Sequence, residues 1–314
     1  MSKYQFKNTE VPTKGQSAMT NNEPNQYRFQ VRPGTLYLCP TPLGNLGDMT
    51  LRSLEVLKQA DFIYAEDTRR SLKLLTYFEI KKPLRSYHEH NRKEKEPVIL
   101  ESLREGKVLA LVTDAGMPGV SDPGTDLVQA CLREELPFEV LPGPSAMLTA
   151  LVASGLSTDH FVFEGFLSRN KKQRKRQLER LKEDPRTLIF YEAPHRIIRT
   201  LAVMIEHLGN RKASLGRELT KKHEEWIRLT LTEILETLQT QPADPKGEMV
   251  LVVEGASETA MEQESMHQWD HLSLEDHVAL LVKQGATKKT AVKEVAVLRG
   301  LPKRKVYEAV LKDR

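Results

Sequence analysis

Short apolar runs alternating with amphipathic stretches, Gly/Pro-rich turns directly behind several of those runs, and a change of composition near residue 270 predict a two-lobed α/β protein. A ligand is expected at the carboxyl ends of the strands, and a small helical module behind the two lobes. The length of 314 residues exceeds one ordinary domain and leaves room for two cores and an appendage. Hydrophobic residues make up 39% of the chain and charged residues 29%, the balance of a soluble globular protein. No run approaches the roughly 20 apolar residues that a membrane helix needs, so no membrane association is expected.

Residues 1–33 are polar, rich in Asn, Gln and Thr and without periodicity, and read as a disordered tail with no secretory or transit signal. A first α/β lobe is expected over 34–155. There "TLYLC", "DFIYAED", "KVLALVTDAG" and "PFEVLPGPSA" supply strands of a mostly parallel sheet, and "LRSLEVLKQA" is one of the helices between them. A second lobe is expected over 156–255, with strands in "FVFEGFL", "TLIFYEAP", "ASLGRELT" and "EMVLVVEG". The acidic, aperiodic stretch 256–271 reads as a linker. The two cysteines, Cys39 and Cys131, fall inside expected elements with no metal-ligand spacing. They read as reduced, buried thiols of a cytoplasmic protein, and no metal site is expected.

Residues 272–314 read as three short helices. Ser273 with Asp276 makes a capping-box-like start and Gly285 a stop. Ala291, Val292, Val295, Ala296 and Leu298 share one face of the second helix. Pro302 opens the third, with Val306, Tyr307, Val310 and Leu311 expected inside. This is a helix-turn-helix-like pattern, and Lys303, Arg304 and Lys305 at its last helix favour nucleic acid over a purely packing role.

Four loops behind strands carry the functional signal: "TPLGNLGD" (41–48), "TDAGMPGVSDPG" (113–124), "LPGPSA" (141–146) and "FYEAPHR" (190–196). In open α/β sheets ligands bind at the carboxyl ends of the strands. Gly44 and Gly47 give G-x-x-G, which is not the dinucleotide fingerprint, and no P-loop lysine follows. The loops are poor in the Lys and Arg that cradle phosphates, and they offer backbone, a carboxylate and small side chains. S-adenosylmethionine, which has an adenosine, an amino acid and a sulfonium but no phosphate, suits them better than a nucleotide does.

These four motifs in this order, together with "KGEMVLVVEG", resemble the tetrapyrrole methylase superfamily, and specifically its branch acting on ribosomal RNA. The resemblance runs from about Gly34 to Gly255. It implies a two-lobed, commonly homodimeric methyltransferase that holds S-adenosyl-L-methionine between its lobes. The implied reaction is methylation of a cytidine ribose 2′-hydroxyl in small-subunit ribosomal RNA, free or in the 30S particle. Carried over by motif, cofactor contacts would come from Pro42 and Leu43, from Asp114, Gly116 and Met117, from Ser145 and Ala146, and from Tyr191 and Glu192. Leu219 or Thr220 and the Lys246–Glu248 turn are weaker candidates. The first loop departs from the G-x-G-P-G-D form of the tetrapyrrole-acting relatives, which favours the RNA branch.

Transfer to a hydroxyl needs positioning and a general base. "AEDTRR" (Glu66, Asp67, Arg69) and "YHEHN" (His88 to Asn91) offer candidates. His90 or Asp67 is the expected proton acceptor, with Asn91 and Arg69 orienting the ribose. For each of these residues alone, a helix cap, an ion pair or a polar loop position is the commoner role. The net charge of +4 decides little, but the run Arg169, Lys171, Lys172, Arg174, Lys175, Arg176 is an expected phosphate-contacting rim. Two other readings stay open: methylation of a tetrapyrrole carbon, and a non-catalytic RNA-binding or ribosome-assembly factor.

Overall fold

The computed structural model describes residues 29–240, 245–257 and 272–311. Most of the expected tail and linker lies outside them. Residues 29–33 are part of the fold instead: the Phe29 ring meets Tyr37 edge-on at 6.0 Å, and the Arg52 guanidinium lies 4.4 Å above it.

The first lobe runs β1 (Leu36–Leu38), α1 (Leu51–Gln59), β2 (Phe62–Ala65), α2 (Thr68–Tyr77), β3 (Leu84–Ser86), α3 (Arg92–Arg104), β4 (Leu109–Val112), α4 (Thr125–Arg133) and β5 (Phe138–Val140). Its sheet is wholly parallel with order β3-β2-β4-β1-β5. The period of two divides each strand between two cores. Tyr37, Cys39, Ile63, Ala65, Ala110 and Val112 pack with Val56, Leu57 and Leu75 of α1 and α2. Leu36, Leu38, Tyr64, Leu109 and Leu111 pack with Ile99, Leu103, Leu127 and Ala130 of α3 and α4. Both sheet faces are therefore covered, which explains the nearly unbroken apolar strands.

The second lobe runs α5 (Ala146–Ser154), β6 (Phe161–Phe166), α6 (Lys171–Leu181), β7 (Thr187–Glu192), α7 (Ile197–Leu208), β8 (Lys212–Arg217), β9 (Glu225–Thr230), α8 (Leu231–Thr240) and β10 (Met249–Val253). Its sheet order is β6-β7-β10-β8-β9, with only the β6–β7 pair parallel. Helices α6, α7 and α8 cover one face. The other is met by Ala150 and Leu151 of α5, which pack on Ile189, Val250 and Val252. Helix α5 thus belongs by packing to the second lobe, although its sequence position suggested the first.

Helices α9 (Leu274–Lys283), α10 (Lys288–Leu298) and α11 (Lys303–Leu311) enclose their own small core of Val278, Ala291, Val292, Val295, Ala296 and Val306. Ser273 caps α9, accepting from the Asp276 N–H at 3.0 Å. Tyr307, expected inside, is half exposed. Among the described residues no helix is long and apolar enough to cross a membrane.

Candidate active site

Three loops interlock at the carboxyl edge of the first sheet. Thr41 and Gly116 exchange both backbone hydrogen bonds at 3.0 Å, and the Thr41 hydroxyl donates to the Thr113 carbonyl at 3.2 Å. Gly116 has φ +84°, which favours glycine, and a Cβ there would lie 3.3 Å from Leu43 Cδ2, a tight contact. At Gly143 a Cβ would sit 2.3 Å from Pro40 Cγ. The "TPLGNLGD" loop also reaches the other lobe: the Asn45 N–H donates to Thr220 Oγ1 at 3.1 Å, and Gly44 packs on the Lys221 stem. It serves as a strut between lobes.

Between the lobes lies a cavity of about 380 Å³. From the first lobe come Leu43, Glu66, Arg70, Asp114 to Met117 and Val120 to Asp122; from the second come Ser145, Ala146, Phe166, Tyr191 to Pro194, Leu219 and Glu248 to Val250. Of the expected cofactor residues, Leu43, Asp114, Gly116, Met117, Ser145, Ala146, Tyr191 and Glu192 lie in this wall, as do the weaker candidates Leu219 and Glu248. Pro42 is buried behind it. Ser145 is the N-cap of α5 but makes no side-chain capping bond, which leaves its hydroxyl available to the cavity.

Asp114 is held on both sides. Its Oδ1 accepts from the Asp67 N–H at 3.1 Å, and its Oδ2 pairs with Arg70 at 3.1 Å. Glu192 is buried and fully engaged: it accepts from Ala193 N–H (2.8 Å) and the Thr200 hydroxyl (2.6 Å), and pairs with Arg196 (3.2 Å). Tyr191 stands edge-on to Phe163 at 4.9 Å and Phe166 at 5.7 Å, and burial pushes its phenol up to about 12. Burial and then the Asp114 charge raise the Glu66 carboxyl. Burial, then the charges of Glu66 and Asp114, push Asp122 up to about 7.

None of the four expected catalytic residues lines the cavity. Asp67 caps α2, and its carboxylate accepts from the Arg69 N–H at 2.9 Å and the Arg69 guanidinium at 3.0 and 3.1 Å. That bonding holds it down at about 2, the wrong direction for a base, and spends Arg69 in the same pair. Asn91 stitches its own loop, accepting from His88 N–H (2.9 Å) and donating to Ser86 (3.0 and 3.2 Å). His90 is exposed and meets His88 edge-on. The neighbours on the cavity wall are Glu66 and Arg70.

Helix α6 carries the basic run, with Asn170 as its cap. Arg169, Lys171, Lys172, Lys175 and Arg176 are exposed. Arg174 is not part of that rim: it is 5% exposed, on the inward stripe with Leu178 and Leu181, and its guanidinium points back to the Ser168 carbonyl. Lys303, Arg304 and Lys305 are exposed on α11, and Arg304 pairs with Glu308 at 2.7 Å.

Sequence reasoning did not single out Phe166, Ser121 or Asp122. The signal for Asp122 was its place at the end of the same Gly/Pro-rich loop as Asp114. Phe166 is placed by a β-bulge between Phe163 and Gly165, which a run of apolar letters does not announce.

Residues 35–235 match the family model described as Tetrapyrrole (Corrin/Porphyrin) Methylases. The chain is 48% identical over 276 residues to ribosomal RNA small subunit methyltransferase I of Bacillus subtilis (strain 168), covering 88% of this chain and 94% of that one. The protein of that name from Thermotoga maritima is 44% identical over 222 residues, 71% of this chain and 99% of its own length. Among solved structures, the cobalamin biosynthetic enzyme cobalt precorrin-4 methyltransferase aligns with a TM-score of 0.55 at 19% identity, covering 70% of this chain and 94% of that one, a likeness of fold. The extent of the family match and the identity to full-length relatives place this chain in the tetrapyrrole methylase family.

Proposed function

We propose that the chain is an S-adenosyl-L-methionine-dependent methyltransferase of small-subunit ribosomal RNA. In the finer reading it modifies the 2′-hydroxyl of a cytidine ribose and works as a homodimer in the cytoplasm. The relatives' name supports the RNA substrate. The observation that carries the cofactor is the electrostatics of the cavity wall: Glu66, Asp114, Asp122, Glu192 and Glu248 face one arginine, Arg70, among apolar Leu43, Met117, Tyr191 and Val250. Arg70 is itself paired with Asp114, and Glu192 and Glu248 with Arg196 and Lys221, so the lining offers a phosphate no uncommitted cation and suits an amphipathic ligand bearing a sulfonium and an ammonium.

Leu43, Met117 and Leu219 supply apolar walls for an adenosine, and Ser145 with the first turn of α5 supplies polar contacts beside them. Asp114, held rigid by Asp67 and Arg70, is a preformed acceptor. When bound, S-adenosylmethionine supplies an activated methyl carbon. The protein's share is to hold the hydroxyl behind that carbon, exclude water and take up a proton. The exposed cations of α6 follow the cavity-lining Phe166 closely in the chain, and there RNA phosphates would be neutralised while one nucleotide is splayed inward.

Purified protein with methyl-labelled S-adenosylmethionine is tested against small ribosomal subunits, free small-subunit RNA and a tetrapyrrole. Label on RNA as 2′-O-methylcytidine is expected; label on the tetrapyrrole, or on neither, would sink the reading.

A further inference from the structure

Five carboxylates line the cavity, and three are held in ion pairs. Asp114 is tied to Asp67 and Arg70, Glu192 to Ala193, Thr200 and Arg196, and Glu248 to Lys221 at 3.0 Å. Glu66 and Asp122 form no ion pair among the described residues. Of these two, Asp122 sits at the seam between lobes. It follows Ser121, which has φ +63° and lies against Gly165 of β6, where a Cβ would be 3.4 Å from Ser121 Oγ. It lines the same cavity as Asp114 and Met117 of its own loop and as Phe166 and Tyr191 of the second lobe.

We propose that Asp122 is the proton acceptor of the transfer reaction, taking the hydrogen of the attacking hydroxyl from its place on the cavity wall. This rests on the methyltransferase reading above. In the step, the hydroxyl oxygen forms a bond to the methyl carbon and the carbon–sulfur bond breaks with its electron pair going to sulfur. The O–H electron pair stays on oxygen and the proton passes to an Asp122 oxygen, giving a neutral carboxylic acid that then loses its proton to solvent. The groups that line the cavity with Asp122 are Glu66 just behind β2, Arg70 from α2, Asp114 from the loop after β4, Tyr191 and Glu192 from β7, and Glu248 before β10, with the Thr113 hydroxyl hydrogen-bonded to it. Burial, Glu66 and Asp114 raise its affinity for a proton, Glu248 adds to this from the other lobe, and the Thr113 hydroxyl opposes it. The outcome, about 7, matches an acceptor working near neutral pH, whereas Asp67 at about 2 does not.

Asp122→Asn and Asp122→Glu are compared with the unaltered full chain on small ribosomal subunits. Expected for Asn is a fall in kcat of about 100-fold or more with the calorimetric Kd for S-adenosylmethionine within about threefold; Glu restores part of the rate. The unaltered enzyme should lose kcat below about pH 7, and the residual activity of the Asn variant should lack that limb. Independently of activity, carbon NMR of the ligand-free protein, with the resonance assigned by its loss in Asp122→Asn, should show this carboxyl titrating near 7. Unchanged kcat in Asn, a loss explained by cofactor affinity, or titration near 4 would each overturn the assignment. If the unaltered enzyme methylates no RNA at all, the functional reading itself falls, an outcome distinct from an active enzyme indifferent to Asp122.

Discussion

Gly143 meets Pro40 at a distance no side chain permits, and Gly116 holds a left-handed backbone at φ +84° that side chains rarely adopt. Gly116→Val adds a branched side chain against Leu43 and strains a backbone at φ +84°. Calorimetry should show S-adenosylmethionine affinity lowered by at least about tenfold, with the circular dichroism of a folded protein retained; affinity equal to that of the unaltered chain would remove this loop from the site. Asp122 has a second readout. A carboxyl whose folded pKa is raised from 3.8 to about 7 binds more protons folded than unfolded between those values. Its unfavourable contribution is absent below about pH 4, grows as pH rises and is complete above about 7. Asp122→Asn should therefore stabilise the fold at pH 8 relative to pH 4, by about 1–2 kcal/mol once solvent screening is allowed for; equal melting shifts at both pH values would contradict this. At this scale the sequence disclosed which loops matter but not which carboxylate is active. Asp67 and Asp122 are both Asp in loops that lead from a strand into a helix, and their opposite affinities for a proton arise from Arg69 in one case and from burial beside Glu66 and Asp114 in the other.

At the scale of elements, α6 separates charge from packing. Replacing Lys171, Lys172, Lys175 and Arg176 by Gln should weaken RNA binding and reduce the slope of log affinity against log salt by up to about 3, with cofactor affinity unchanged. Arg174→Ala should instead lower stability, by about 1–3 kcal/mol in urea unfolding, through lost packing beside Leu178 and Leu181. A quadruple variant with undiminished RNA affinity across a salt series would remove α6 from the interface. The long strands and amphipathic helices were legible, because period and turn chemistry are local. Strands β3 and β9 were not: β3 is three half-buried residues, and β9 is an edge strand with Arg228 and Leu229 exposed. Nor could the letters of α5, apolar nearly all round, say which of two sheets it covers.

For the whole molecule, the lobes and the C-terminal module keep separate cores. The Thermotoga maritima relative, matched over 99% of its length by 71% of this chain, has no counterpart for the remainder. Removing residues 272–314 is therefore expected to leave a folded body with unaltered cofactor affinity but at least about tenfold slower on small subunits. Turnover equal to that of the full chain, with equal RNA affinity, would reassign the module to packing or dimer contacts.

Strand β1 is paired on both sides in the first sheet, yet its partners come late: Leu36 is flanked by Leu109 of β4 and Phe138 of β5. During synthesis at about 5–20 residues per second, the nascent apolar run "LYLC" waits roughly 4–15 s for its first partner strand, and longer for its second. The edge pair β2–β3 is complete in the chain well before that and the opposite edge, β5, is made last, so the cofactor loop behind β1 lacks its flanking β4 until most of the lobe has been synthesised.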